Sequence, residues 1–185
     1  MSTSPDDTET LDWHKRFAAT CNNLAWDLST QARTKAQDRE MLDAAHASAW
    51  HWGRIGTELN RMRAQMLVAE VHALLGMGPS AIVLADEMRA YFLARETPDW
   101  ELALTHIVHA HAAYAAQREE EHRRSHAEAV AAMQAIADPE DREIVEKTFA
   151  QLPPKISAVA AAKGAFDWAR APSGRIPMTA TVAIT

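Results

Sequence analysis

Residues 57–95 read TELNRMRAQMLVAEVHALLGMGPSAIVLADEMRAYFLAR, and this stretch decides the fold. Leu59, Met62, Met66, Ala69 and Ala73 follow steps of three and four, the spacing of one face of an α-helix. Leu67, Val71 and Leu74 make a second apolar face on the same segment. Two apolar faces predict a helix with neighbours on both sides, over about 58–75. Thr57 is a suitable N-cap, because its hydroxyl can accept from a backbone N–H left free in the first turn. Gly76-Met77-Gly78-Pro79 then stops the helix: glycine suits the position just past a C-terminus, and proline suits the start of the next helix. A fourth helix follows over about 80–95, with Ala81, Ala85, Met88 and Phe92 inward. So short a link between two helices requires them to pack antiparallel.

The same reading extends in both directions. Towards the N-terminus, Leu11, His14, Phe17, Cys21, Leu24 and Leu28 mark a first helix, capped by Asp7 or Thr8 and ending near Ser29. Met41, Ala45, Ser48, Trp52 and Ile55 mark a second, from about Lys35 to Arg54, with Gly53 and Gly56 at its end. Towards the C-terminus, Thr97-Pro98 precedes a fifth helix, about 99–116, carrying Leu104, Ile107, His111 and Tyr114. A sixth, about 119–137, has a charged first half and an apolar side at Val130, Met133 and Ala137. Asp138-Pro139 caps a seventh, about 139–152, with Val145, Phe149 and Leu152. The expected organisation is an N-terminal tail at 1–8, a helical domain at 9–152 and an irregular tail at 153–185, with a short helix over Ile156–Phe166 and a β-like end at Met178–Ile184.

Composition agrees with an all-α chain. Alanine is abundant, glycine numbers only 6, and β-branched residues are sparse before the last few positions. A length of 185 residues fits one domain able to bury a sizeable core without staples. The single cysteine, Cys21, excludes an intramolecular disulfide and reads as a small core residue. The net charge is −6, and basic side chains are interleaved with acids, as in Arg118-Glu119-Glu120-Glu121-His122-Arg123-Arg124. Such a segment is a solvated helix face rather than a phosphate track, which argues against nucleic acid as a partner. No run of ~18 apolar residues spans a membrane. The polar first residues carry no secretory signal, so the expected location is the cytoplasm.

Three hairpins therefore line up, at about 9–55, 57–96 and 99–137, closed by the helix at 139–152. In the central hairpin, Ala69, His72, Gly76 and Ala81 stand at the spacing of the tetratricopeptide repeat, and here, best over residues 60–95, the chain resembles the tetratricopeptide-repeat-like proteins. The match departs later, with Ala85 and Met88 where an aromatic and a small residue are usual. In the third hairpin Ala110, Gln117 and Ala129 fall in register, but the turn glycine is absent; the first hairpin has only the helical pattern. The resemblance implies a right-handed α-α superhelix whose concave surface binds peptides, proteins or small ligands.

Nine histidines make a site worth seeking. His46, Trp50 and His51 on the second helix, with His106, His109 and Tyr114 on the fifth, are the candidate lining of a ligand or partner groove. Interhelical packing is the competing use, since Trp50 and Trp52 point about 200° apart on a helix. His111 steps with Ile107 and Tyr114 and reads as a core histidine; His72 stands at the large position of the repeat motif, and the resemblance implies the same for it. Trp13, Trp26 and Trp100 read as contacts within hairpins, Met62 and Met66 as core filler, and Arg61 and Arg63 as solvated charges. Glu119-x-x-His122-x-x-x-His126 offers three metal-ligand types on adjacent turns. Its charged surroundings read as exposed, so neither a metal nor another cofactor is expected. No nucleophile elbow, phosphate loop or dinucleotide fingerprint is present. The leading expectation is a non-enzymatic module that binds a protein or peptide, its own copy included. The alternative is a helical bundle that holds a metal or small ligand with its histidines.

Overall fold

A computed structural model of the chain describes residues 5–153. Seven helices follow in order: α1 (Pro5–Ser29), α2 (Lys35–Ile55), α3 (Glu58–Leu74), α4 (Gly78–Leu93), α5 (Asp99–Ala115), α6 (Glu119–Ala135) and α7 (Pro139–Phe149). The expected short helix and β-like end after Pro154 lie outside the described residues. Packing is strongest between α1 and α2, between α5 and α6, and between α3 and α4, so the hairpins are those read from the sequence. The first helix starts at Pro5, ahead of the expected cap; proline tolerates a first turn because the N–H it lacks has no partner there.

The caps explain the boundaries. Thr57 accepts from the Asn60 N–H while the Asn60 side chain accepts from the Thr57 N–H, a reciprocal capping box. Thr34 and Gln37 make the same box at the start of α2, in a stretch the sequence reads only as a connection. Asp138 accepts from the N–H groups of Glu140 and Asp141 and opens α7. At the end of α3, Gly76 has φ +73°, the Met77 N–H reaches the His72 carbonyl at 2.8 Å and the Gly76 N–H reaches the Ala73 carbonyl at 3.0 Å. This is a Schellman ending. The end of α5 repeats it at Gln117, with φ +60°: Arg118 N–H reaches Ala113 at 2.8 Å and Gln117 N–H reaches Tyr114 at 3.0 Å.

One core cluster joins α3, α4 and α5 and is extended by α6 and α7; it includes Met88, Phe92 and Ile107, all essentially closed to solvent. Each such side chain contributes roughly 1.5–3 kcal/mol relative to an exposed position. A second cluster joins α1, α2 and the other side of α3, through Leu28, Met41, Leu67 and Val71. Central α3 thus carries one apolar face to each cluster, as its pattern predicts.

Three expectations are corrected. On α1, Leu11, Phe17 and Leu24 are exposed and Cys21 is only partly buried; the seam is made by Ala18, Ala25 and Leu28. The reason is that α1 packs mainly on one neighbour, α2, so one side of it suffices for the seam and Leu11, Phe17 and Leu24 face outward. On α6, Val130 is exposed, and the buried residues are His122, Ser125 and Ala129. His122, read from its charged surroundings as exposed, is buried because its Nδ1–H donates to the Ala110 carbonyl of α5 at 2.9 Å.

Candidate functional site

The first helices of the three hairpins and the closing helix, α1, α3, α5 and α7, enclose a cleft of about 580 Å³. Trp26, Met66, Leu104, Ile144 and Val145 give it an apolar lining. Asp27 of α1 and Asp141 and Lys147 of α7 add charges. Between these sit Arg63 of α3 and Trp100 and Glu101 of α5.

Arg63 and Glu101 form a forked ion pair, Nε to Oε1 at 2.6 Å and Nη2 to Oε2 at 3.1 Å. Glu101 is buried while Arg63 remains partly open to solvent. The hydrogen bond to Glu101 raises the Arg63 pKa above its ordinary value against the cost of burial. The guanidinium also lies 5.4 Å from the centre of the Trp100 ring, within reach of a cation–π attraction. The planar fork is therefore held by Glu101 at one edge and Trp100 at its face. Both partners stand near the start of their helices, so capping by Thr57 and the Pro98 entry to α5 set where they face each other.

Of the residues singled out in the sequence, His46, Trp50, His51, His106, His109 and Tyr114, none lines this cleft. They fall in two other places. On the first hairpin, His51 Nδ1 lies 2.8 Å from His14 Nδ1, and Trp50, 58% exposed, packs against both imidazoles. On its other side His51 stacks with Phe17, and Phe17 with Trp13, so exposed aromatic rings flank the histidine pair. His46 Nε2 meets His72 Nε2 at 3.0 Å, and His72 Nδ1 meets Ser80 Oγ at 2.9 Å. Since the Ser80 hydroxyl donates to the Met77 carbonyl, it accepts from His72, and His46 is the donor to His72. This chain ties α2, α3 and α4 together, with His72 buried as expected.

His106 and His109 are buried on the side of α5 that faces α4 and α6. His106 Nδ1 lies 3.1 Å from Glu128, which also receives Arg89 of α4 at 2.8 Å. Half-buried Tyr114 packs edge-on against His122. His111 is the expected core histidine, but it has a charged partner: its Nδ1 donates to Glu70 Oε1 at 2.9 Å, with Glu70 closed to solvent. Burial pulls the His111 pKa down, and the charge and hydrogen bond of Glu70 outweigh it, so the imidazole is held above its ordinary value. Glu119, His122 and His126 do not form a metal-type grouping; among the described residues that geometry belongs to Asp86, His109 and Glu121.

The residues that shape the cleft carry little sequence signal. Arg63 and Glu101 are 38 positions apart, and nothing in either neighbourhood points to the other. Trp26 and Trp100 were legible as contacts between helices, not as walls of a cavity. Compared with known proteins, the chain matches no protein-family model, no curated protein and no solved structure. Among the described residues no helix is long and apolar enough to cross a membrane.

Proposed function

We propose that this chain is a helical-hairpin interaction module, in the manner of the tetratricopeptide-repeat-like proteins, whose cleft between α1, α3, α5 and α7 takes a peptide segment of a partner. The observation that carries this reading is the cleft itself: an apolar lining with two tryptophans and a clamped arginine, assembled from alternate helices. Peptide grooves combine apolar pockets with a few fixed polar groups in this way. Residues 1–153 hold 15 basic and 24 acidic side chains, a net charge of −9, so a segment with apolar anchors and flanking basic residues is the favoured occupant. The chain contains one such segment itself, 155–170, KISAVAAAKGAFDWAR, which makes a second copy of the chain one possible source of the ligand.

Fluorescence anisotropy with labelled peptides tests this on the full chain. A basic–apolar panel that includes residues 155–170 should bind, and charge-reversed versions should bind at least about tenfold more weakly. Ile144 lines the cleft and is 60% exposed, so Ile144→Lys should leave the melting temperature unchanged and weaken binding by a similar factor, because it removes an apolar contact and repels a basic peptide. Equal binding by wild type and Ile144→Lys, or by basic and acidic peptides, would sink the proposal.

A further inference from the structure

On the side of α5 away from the cleft, three helices bring ligand-type atoms together. Asp86 of α4, His109 of α5 and Glu121 of α6 offer one atom each, all within 4.8 Å of one another. His109 Nε2 stands 2.9 Å from Asp86 Oδ1. We propose that Asp86, His109 and Glu121 form a binding site for a first-row divalent transition cation, with water completing its coordination.

Four features of the site support this. First, the spacing fits. Bonds of about 2.0–2.2 Å to nitrogen and oxygen place neighbouring ligand atoms ~3–3.5 Å apart, and the His109–Asp86 separation is already of that order. The carboxylates are on the open side and can close the remaining gap; Asp86 is exposed and Glu121 half-buried, while His109 is buried.

Second, the imidazole is held from behind. His109 Nδ1 lies 2.8 Å from the buried Ser125 Oγ, so the ring is fixed with Nε2 directed outward. A hydroxyl both donates and accepts, so Ser125 serves either tautomer. Without a cation, Nε2–H donates to Asp86 and Nδ1 accepts from Ser125. With one, the cation takes the Nε2 lone pair, the ring proton resides on Nδ1, and Ser125 becomes the acceptor. The neutral imidazole keeps one proton throughout. A hydrogen-bonded group behind a ligating histidine is the usual support of a metal ligand.

Third, a cation already bridges the two carboxylates. Arg118 Nη1 is 3.2 Å from Glu121 Oε2 and 3.8 Å from Asp86 Oδ2. Its side chain is partly exposed, and a divalent ion would take its place between the carboxylates. Fourth, the fold brings the three helices close here. A Cβ on Gly78 would overlap the Ala115 carbonyl oxygen, so the start of α4 lies directly against the end of α5. The turn at Gln117 then returns α6 along α5, and Arg89 of α4 reaches Glu128 of α6 across it. One nitrogen and two oxygens suit zinc, cobalt or manganese rather than an all-oxygen magnesium site.

The test is calorimetric titration of the chelator-treated full chain with Zn²⁺, repeated with Mg²⁺, together with Co²⁺ absorption spectra. One Zn²⁺ per chain should bind, with Mg²⁺ at least tenfold weaker. Asp86→Asn, at an exposed position, should weaken Zn²⁺ at least tenfold without a change in melting temperature. Arg118→Ala should tighten it, because a competing cation is removed. His126→Gln should have no effect on it. Absence of stoichiometric Zn²⁺ binding, or binding that survives Asp86→Asn and is lost in His126→Gln, would overturn the proposal. So would unchanged affinity in Arg118→Ala, since the bridging guanidinium must leave for the ion to enter.

Discussion

At the scale of single residues, the polar groups inside this protein are the most exacting part of it. Glu70 is closed to solvent, and only Oε1 has a hydrogen-bond partner, His111. Removing His111 strands a carboxylate where water cannot reach it. His111→Ala should therefore cost about 3–5 kcal/mol in urea unfolding. The double change Glu70→Met, His111→Leu should recover most of that, because it removes both charges and fills their space. A loss under 1 kcal/mol in His111→Ala would mean the pair is far better solvated than its burial indicates. His111 was legible as a core histidine from its step with apolar residues, and His72 from its place in the repeat spacing. The identity of their partners was not: Glu70 and His111 are 41 positions apart, and His122 sits in so charged a segment that its burial leaves no mark in the pattern. The same holds for Asp86, His109 and Glu121, where three helices must be docked before the atoms share a neighbourhood.

At the scale of elements, the two Schellman turns are a natural comparison. Both α3 and α5 have 17 residues, and both hand over to the next helix through a residue in the left-handed region. In the first turn that residue is Gly76, in the second Gln117. A side chain in this conformation costs ~1 kcal/mol. Gly76→Ala should destabilise by about that amount, since nothing lies within 4 Å of its new methyl. Gln117→Gly should move stability the other way by up to ~1 kcal/mol. Gly78→Ala should exceed both, because the obstacle is the backbone of α5 itself. Equilibrium unfolding of the three variants checks the order, and equal effects at 76 and 78 would contradict it. Most helix boundaries were legible because glycine, proline and capping residues punctuate them. The inward faces of α1 and α6 were misread for one reason: each turns small or hydrogen-bonded residues to its neighbour and leaves larger apolar ones outside.

At the scale of the whole molecule, the histidines set a stability profile with two limbs. Burial, followed by the charge of a neighbouring imidazole, lowers the pKa of His51, His72 and His126; the neighbours are His14, His46 and His122. As pH falls below the ordinary value of 6.5, the unfolded chain takes protons that these sites refuse, and stability falls. His111 acts in the opposite sense. Its folded pKa is raised, so its contribution is fully present below 6.5 and is lost as pH rises through the folded value. Melting temperatures across pH 5 to 9 should pass through a maximum. His72→Asn should soften the acid limb, and His111→Asn should remove the alkaline decline attributable to that ring; a profile unchanged by both variants would refute the assignment. The packing order also bears on how the chain assembles in time. Strong contacts reach no further than the second helix along, so little chain must be searched before each contact forms, and folding should be rapid for this length. A chain emerging from its N-terminus can close α1 through α4 while α5 is still being made. Until then Glu70 has no His111 to meet, so this buried contact closes only in the step that docks α5, a late commitment that separates the half-built chain from the finished one.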